Sequence, residues 1–145
     1  VFILFREGPK ALGMDAQAAT VSAEAAVAAP PADTVEVVRL SPAETAAYLA
    51  ATPEAVVIDV RTPAEVAASG RLAGALVLDA TAPDFEARAQ AALSPDQPVV
   101  LYCRSGNRAG QAAERLVALG FTDLANAGGF DALAAGGLAT EPAAR

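Results

Sequence analysis

The apolar run Val99-Val100-Leu101-Tyr102 breaks into Cys103-Arg104-Ser105-Gly106-Asn107-Arg108, and apolar residues then resume at helical spacing at Ala109, Ala112, Ala113, Leu116, Val117 and Leu119. A thiol so placed sits where a buried strand ends and a helix begins. Backbone N–H groups at a helix start are unpaired and carry partial positive charge, which favours a thiolate over a thiol. Arg104 and Arg108 add to that field. Gly106 and Asn107 are residue types that tolerate positive φ, so the loop can curl with successive N–H groups pointing inward as a nest for an anion. That anion would be the cysteine sulfur or a group attached to it. Without its neighbours, a cysteine after Val-Val-Leu-Tyr reads as a small core residue. The polar residues that follow make poor core and poor strand, and they point to a reactive Cys103.

The rest of the composition narrows the chemistry. The 145 residues contain no histidine and one cysteine. A Cys–His dyad, a Ser–His–Asp triad and a histidine metal site are therefore excluded, as are an internal disulfide and a cysteine zinc cluster. No metal and no cofactor are expected, and the work falls to one thiol and its electrostatic surroundings. Apolar residues at 54% and charged residues at 19% describe a globular chain of one-domain size. A net charge of −7 argues against nucleic acid and against anionic membrane surfaces as partners.

Alternating elements position the loop. Val35–Val38 reads as a short strand. Ser41-Pro42-Ala43-Glu44 is a capping box with proline at the first helical position, opening a helix to about Ala51. Ala55–Val60 is a nearly continuous apolar run, as in a strand covered on both faces. Thr62-Pro63-Ala64-Glu65 repeats the capping-box grammar and starts a helix that ends near Gly70. Gly74–Leu78 is a third strand, Phe85–Leu93 a helix, Val99–Tyr102 the most buried strand, and residues 108–119 a helix with Gly120 just beyond its end. Asp123–Asn126 reads as a short last strand and Gly128-Gly129-Phe130 as the start of a final turn or helix, with fraying past Gly136. This alternation predicts an α/β domain with a mainly parallel sheet flanked by helices, and ligands of such sheets bind at the carboxyl ends of the strands, where Cys103 falls.

Residues 1–34 read as a leader and linker ending in Pro30-Pro31, residues 35–140 as the domain and 141–145 as a tail. Val1–Phe5 is too short to span a bilayer and Arg6, Glu7, Lys10 and Asp15 interrupt any signal-peptide core, although Ala25–Ala32 resembles a signal-peptidase site. The expectation is a cytoplasmic domain, or a periplasmic or membrane-tethered one if Val1–Phe5 is the last turn of an anchor.

With these residues in view, the domain resembles the rhodanese family of sulfurtransferases over about residues 36–138. Ile58-Asp59-Val60-Arg61-Thr62-Pro63-Ala64-Glu65, followed by Gly70-Arg71-Leu72-Ala73-Gly74-Ala75, is similar to the family's first motif. Cys103-Arg104-Ser105-Gly106-Asn107-Arg108-Ala109 is similar to its active-site loop, and Leu119-Gly120-Phe121 through Gly128-Gly129-Phe130 to its C-terminal end. Departures fall at Arg71-Leu72-Ala73, where most members carry His-Ile-Pro, at Val66, where an aromatic is usual, and at the tryptophan that commonly follows the double glycine, near Leu133 here.

The resemblance implies a double displacement. Cys103 takes a sulfur from an anionic donor such as thiosulfate and becomes a persulfide, and a thiophilic acceptor (cyanide in vitro, a cellular thiol or a sulfur-accepting protein in the cell) removes it. The residues suit that scheme: inward N–H groups stabilise an anionic sulfur as they would an oxyanion, and Arg104 and Arg108 can guide an anionic donor. In the plainer alternative Arg104 is merely solvated and Arg108 braces the loop against a carboxylate. Asp59, with Arg61, is expected to orient the loop from behind; otherwise it is a turn aspartate. Glu65 reads as the third residue of its capping box. Three rivals stand beside this scheme: a phosphatase or arsenate reductase with a C-x5-R loop, a non-catalytic binding or regulatory module, and a persulfide carrier. Cys103 to Arg108 is C-x4-R, one residue shorter than the phosphatase loop, and a smaller nest suits one sulfur atom better than a phosphate.

Overall fold

The computed structural model describes residues 35–142; the expected leader, residues 1–34, and residues 143–145 of the expected tail lie outside them. The chain runs β1 (Val38–Arg39), α1 (Pro42–Ala51), β2 (Val56–Asp59), α2 (Pro63–Ser69), β3 (Arg71–Leu72), β4 (Leu76–Val77), α3 (Phe85–Ala92), β5 (Val99–Cys103), α4 (Asn107–Ala118), β6 (Leu124–Gly129), α5 (Phe130–Ala135) and β7 (Thr140–Glu141). Strands β1, β6, β5, β2 and β4 form, in that order, one sheet in which every pairing is parallel. The expected α/β architecture is the observed one.

Strand β5 lies mid-sheet and all five of its residues are buried. Because side chains alternate across a strand, Val99, Leu101 and Cys103 enter one core while Val100 and Tyr102 enter the other. The first core is closed by Phe85 and Ala89 of α3 and by Ala109, Ala112, Ala113, Leu116 and Val117 of α4. The second is closed by Tyr48 and Leu49 of α1 and by Phe130 and Leu133 of α5. Burial on both faces is why β5 reads as an unbroken apolar run.

Both expected capping boxes form. The Ser41 and Thr62 hydroxyls accept from the Glu44 and Glu65 N–H groups, and each glutamate reaches back to its cap's N–H. Five elements differ from the sequence reading by more than one residue at an end, among them β3, which was not expected. β1 is Val38–Arg39 rather than Val35–Val38, because its register is set by β6, Val38 opposite Ala125 and Arg39 opposite Asn126. β4 shrinks to Leu76–Val77, the two residues that pair with Ile58 and Asp59. β6 extends three residues past Asn126. The segment expected to fray contains β7, antiparallel to β3, with Arg71 opposite Glu141 and Leu72 opposite Thr140. Glu141 accepts from Arg71 at 3.1 Å and from the Gly74 N–H at 2.7 Å, which holds this short pair in place.

Among the described residues no helix is long and apolar enough to cross a membrane.

Candidate active site

The site is built where β5 hands over to α4. Helix α4 has no side-chain cap; its N-cap is Gly106 at φ 96°, a left-handed conformation that favours glycine. The chain thereby turns sharply enough for the Gly106 N–H to point back and donate to Cys103 Sγ at 2.9 Å. Where α1 and α2 satisfy their first N–H groups with Ser41 and Thr62, α4 leaves that duty to whatever lies in the loop. Cys103 and Gly106 are buried and Arg104, Ser105 and Asn107 are exposed. Cys103 is 0% exposed, so its sulfur lies beneath the protein surface.

Two carboxylates lie near the loop, in separate networks. Arg108, in the first turn of α4, donates to Glu65 through both terminal nitrogens, at 2.7 Å each. Those bonds are the main reason that Glu65 is lowered to a pKa of about 2, and they hold Arg108 above its ordinary value. Asp59 serves a separate network behind the loop. Its carboxylate accepts from Arg61 Nε at 2.9 and 3.1 Å, from Arg61 Nη2 at 2.7 Å, from the Arg61 N–H at 3.0 Å and from the Tyr102 hydroxyl at 2.8 Å. Tyr102 in turn accepts from the Leu72 N–H at 2.9 Å. Arg61 also donates to Ser69 and to the Gly70 carbonyl, and its guanidinium stacks over Phe130, 4.4 Å from the ring centroid. Burial opposes the Arg61 charge, but the Asp59 hydrogen bonds and charge outweigh it and raise the group above its ordinary value. Burial is likewise the main cause that drives the Tyr102 hydroxyl upward.

Thus the carboxylate that touches a loop arginine is Glu65, read from sequence only as a capping residue; it does both. Asp59 and Arg61 hold each other, Tyr102 and the start of β3. Arg104 makes no ion pair among the described residues. It lines a cavity of about 200 Å³ with Arg61, Glu65, Ala68, Ser69, Phe130 and Asp131. A second cavity of about 560 Å³ runs past Arg39, Ser105, Gly106, Asn107 and Asn126. Cys103 lines neither, in keeping with its burial.

Sequence reasoning found the start of β6 but missed its extension and bulge. Leu101 pairs with Asn126 and Cys103 with Gly129, so β6 carries one extra residue at this point. Gly128, at φ 86°, takes up the kink. The bulge presses Gly129 against the loop so closely that a Cβ there would collide with the Arg104 carbonyl. The double glycine was visible in the sequence as a turn signal; nothing local marked it as one wall of the Cys103 loop.

A five-stranded parallel sheet with a cysteine loop at its carboxyl edge defines a class, and the comparisons agree. The model of the rhodanese-like domain matches residues 41–135, and the chain belongs to that family. A polysulfide-sulfur transferase homodimer from Wolinella succinogenes is similar at 30% identity and TM-score 0.61, over 75% of this chain and 81% of its own. A rhodanese-like domain from an Anabaena sp. protein gives TM-score 0.65 at 23% identity, over 72% and 79%. A rhodanese-like domain protein from Staphylococcus aureus gives 0.60 at 24%, over 72% and 99%. The two lower identities speak to the fold alone. Among curated proteins, none matches.

Proposed function

We propose that this domain is a sulfurtransferase that carries a sulfane sulfur on Cys103. The observation that carries the reading is the Gly106 N–H aimed at Cys103 Sγ at 2.9 Å, in a C-x4-R loop that leaves the start of α4 without a side-chain cap. The Cys103 thiolate attacks the outer sulfur of thiosulfate; the donor's S–S bond breaks and sulfite leaves with the bonding pair. The enzyme persulfide ends in an anionic sulfur, which α4's leading N–H groups stabilise. Cyanide or a thiolate then attacks that outer sulfur, thiocyanate or a new persulfide departs, and the Cys103 thiolate returns. No proton transfer to a general base is needed, in keeping with a chain that has no histidine.

Arg108 is committed to Glu65, so the approach of an anionic donor falls to Arg104, exposed at the rim. The Wolinella relative, a polysulfide-sulfur transferase, supports sulfane chemistry over phosphate chemistry. The partners proposed are a small anionic sulfur donor and a thiol acceptor, free or on a protein. The test is mass spectrometry after incubation with thiosulfate. Gain of the mass of one sulfur atom, reversed by cyanide, is expected; an unchanged mass, or faster hydrolysis of an aryl phosphate, would overturn the reading.

A further inference from the structure

We infer that Asn126, a buried side chain on β6, is a positioning residue for the Cys103 sulfur. The inference rests on the sulfur-transfer reading and deepens it. Asn126 is 4% exposed, and both ends of its amide are used. Nδ2 donates to the Gly106 carbonyl at 2.9 Å, and Oδ1 accepts from the Gly128 N–H at 2.9 Å. One side chain thus ties the α4 N-cap to the bulge of β6.

The geometry gives that tie a chemical consequence. The Gly106 carbonyl accepts twice, from Asn126 and from the Gly110 N–H at 2.9 Å, so its direction along α4 is fixed by two donors. In a planar trans peptide the carbonyl and the next N–H point opposite ways. Anchoring the Gly106 carbonyl therefore turns the Asn107 N–H back out of the helix start toward the loop. The Gly106 N–H, one peptide earlier, already meets Cys103 Sγ. Asn126 touches neither sulfur nor substrate; it sets the angle of the peptide whose N–H is the next donor available to the outer sulfur of a persulfide. The fit leaves no slack, since a Cβ on Gly110 would stand 3.3 Å from Asn126 Nδ2 and one on Gly106 would stand 3.1 Å from the Gly128 Cα.

The test compares Asn126→Ala with the unsubstituted protein and with Leu93→Ala, a core truncation just past the end of α3. Two readouts are followed: the pH–rate profile of Cys103 alkylation by iodoacetamide, and the rate of sulfur uptake from thiosulfate. Asn126→Ala is expected to move the alkylation profile to higher pH by about one unit and to slow sulfur uptake about tenfold, while Leu93→Ala moves neither. An unchanged profile and uptake in Asn126→Ala would overturn the inference, and so would an equal shift in Leu93→Ala. Should Asn126→Ala fail to fold, Asn126→Ser, which keeps a small donor and acceptor, is held to the same two readouts. If the unsubstituted protein takes up no sulfur, the sulfur-transfer reading fails by itself, and the alkylation profile still decides the part played by Asn126.

Discussion

Arg108 and Glu65, 43 residues apart in sequence, join the first turns of two helices through two hydrogen bonds of 2.7 Å. An arginine at a helix start opposes the helix dipole. Glu65 removes that conflict and fixes Arg108 beside the loop, while also serving as the third residue of its own capping box.

That pair makes stability fall in acid. Glu65 is held at about 2 in the folded protein against an ordinary 4.5, so its contribution is complete above about pH 4.5 and is lost as pH falls toward 2. For a pair this open to solvent the loss is about 1 kcal/mol. Urea melts between pH 6 and 2.5 should show it, and Glu65→Gln should flatten the decline; an undiminished decline in the variant would show that other carboxylates cause it.

Cys103→Ser is expected to abolish sulfur uptake with the circular dichroism spectrum unchanged, since serine keeps the size and an acceptor for the Gly106 N–H. Turnover of thiosulfate and cyanide by the purified variant would mean that another group is the nucleophile.

Asp59 is expected to matter for folding and little for turnover. Asp59→Ala strands the buried Arg61 guanidinium and should cost about 3 kcal/mol or more. Tyr102→Phe leaves the Leu72 N–H without its acceptor and should cost about 1–2 kcal/mol. In both variants, sulfur transfer per folded molecule should stay near that of the unsubstituted protein. A selective loss of transfer in Asp59→Ala at temperatures where it is folded would instead support the loop-orienting role expected from the sequence.

Gly129→Ala should do the reverse. Its Cβ would collide with the Arg104 carbonyl, so the loop must shift. Sulfur uptake should fall about tenfold or more, as expected when a reacting group is misplaced, while the thermal midpoint changes less than in Asp59→Ala. Uptake that survives unaltered would show that the loop tolerates the displacement.

Burial of Cys103 predicts discrimination by size. Iodoacetamide should label the native thiol far faster than a polymer-linked maleimide, and the difference should vanish in urea. Equal rates in the native state would contradict a sulfur lying beneath the protein surface.

Much of this was legible in the sequence because it is local. Ser41 with Glu44 and Thr62 with Glu65 declare their helices within four residues, and Cys103 to Arg108 is one contiguous loop. What was hidden depends on distance along the chain. Glu65 carried one visible role, and nothing near it named Arg108. A two-residue strand has no periodicity, so β3 and β7 were invisible until the register of Arg71 with Glu141 appeared. Gly128-Gly129-Phe130 reads as the start of a turn or helix, and only pairing of Gly129 with Cys103 makes a bulge there.

The contacts that cradle the sulfur in this loop are almost all made to main chain: the Gly106 N–H on Sγ, the Gly106 carbonyl on Asn126, the Arg104 carbonyl against Gly129. The side chains of Arg104, Ser105 and Asn107 face solvent and take no part in that scaffold. Under the proposed sulfur-transfer function, donor preference and sulfur carriage are separable, and a combinatorial library at those three positions is expected to retune the first without dismantling the second.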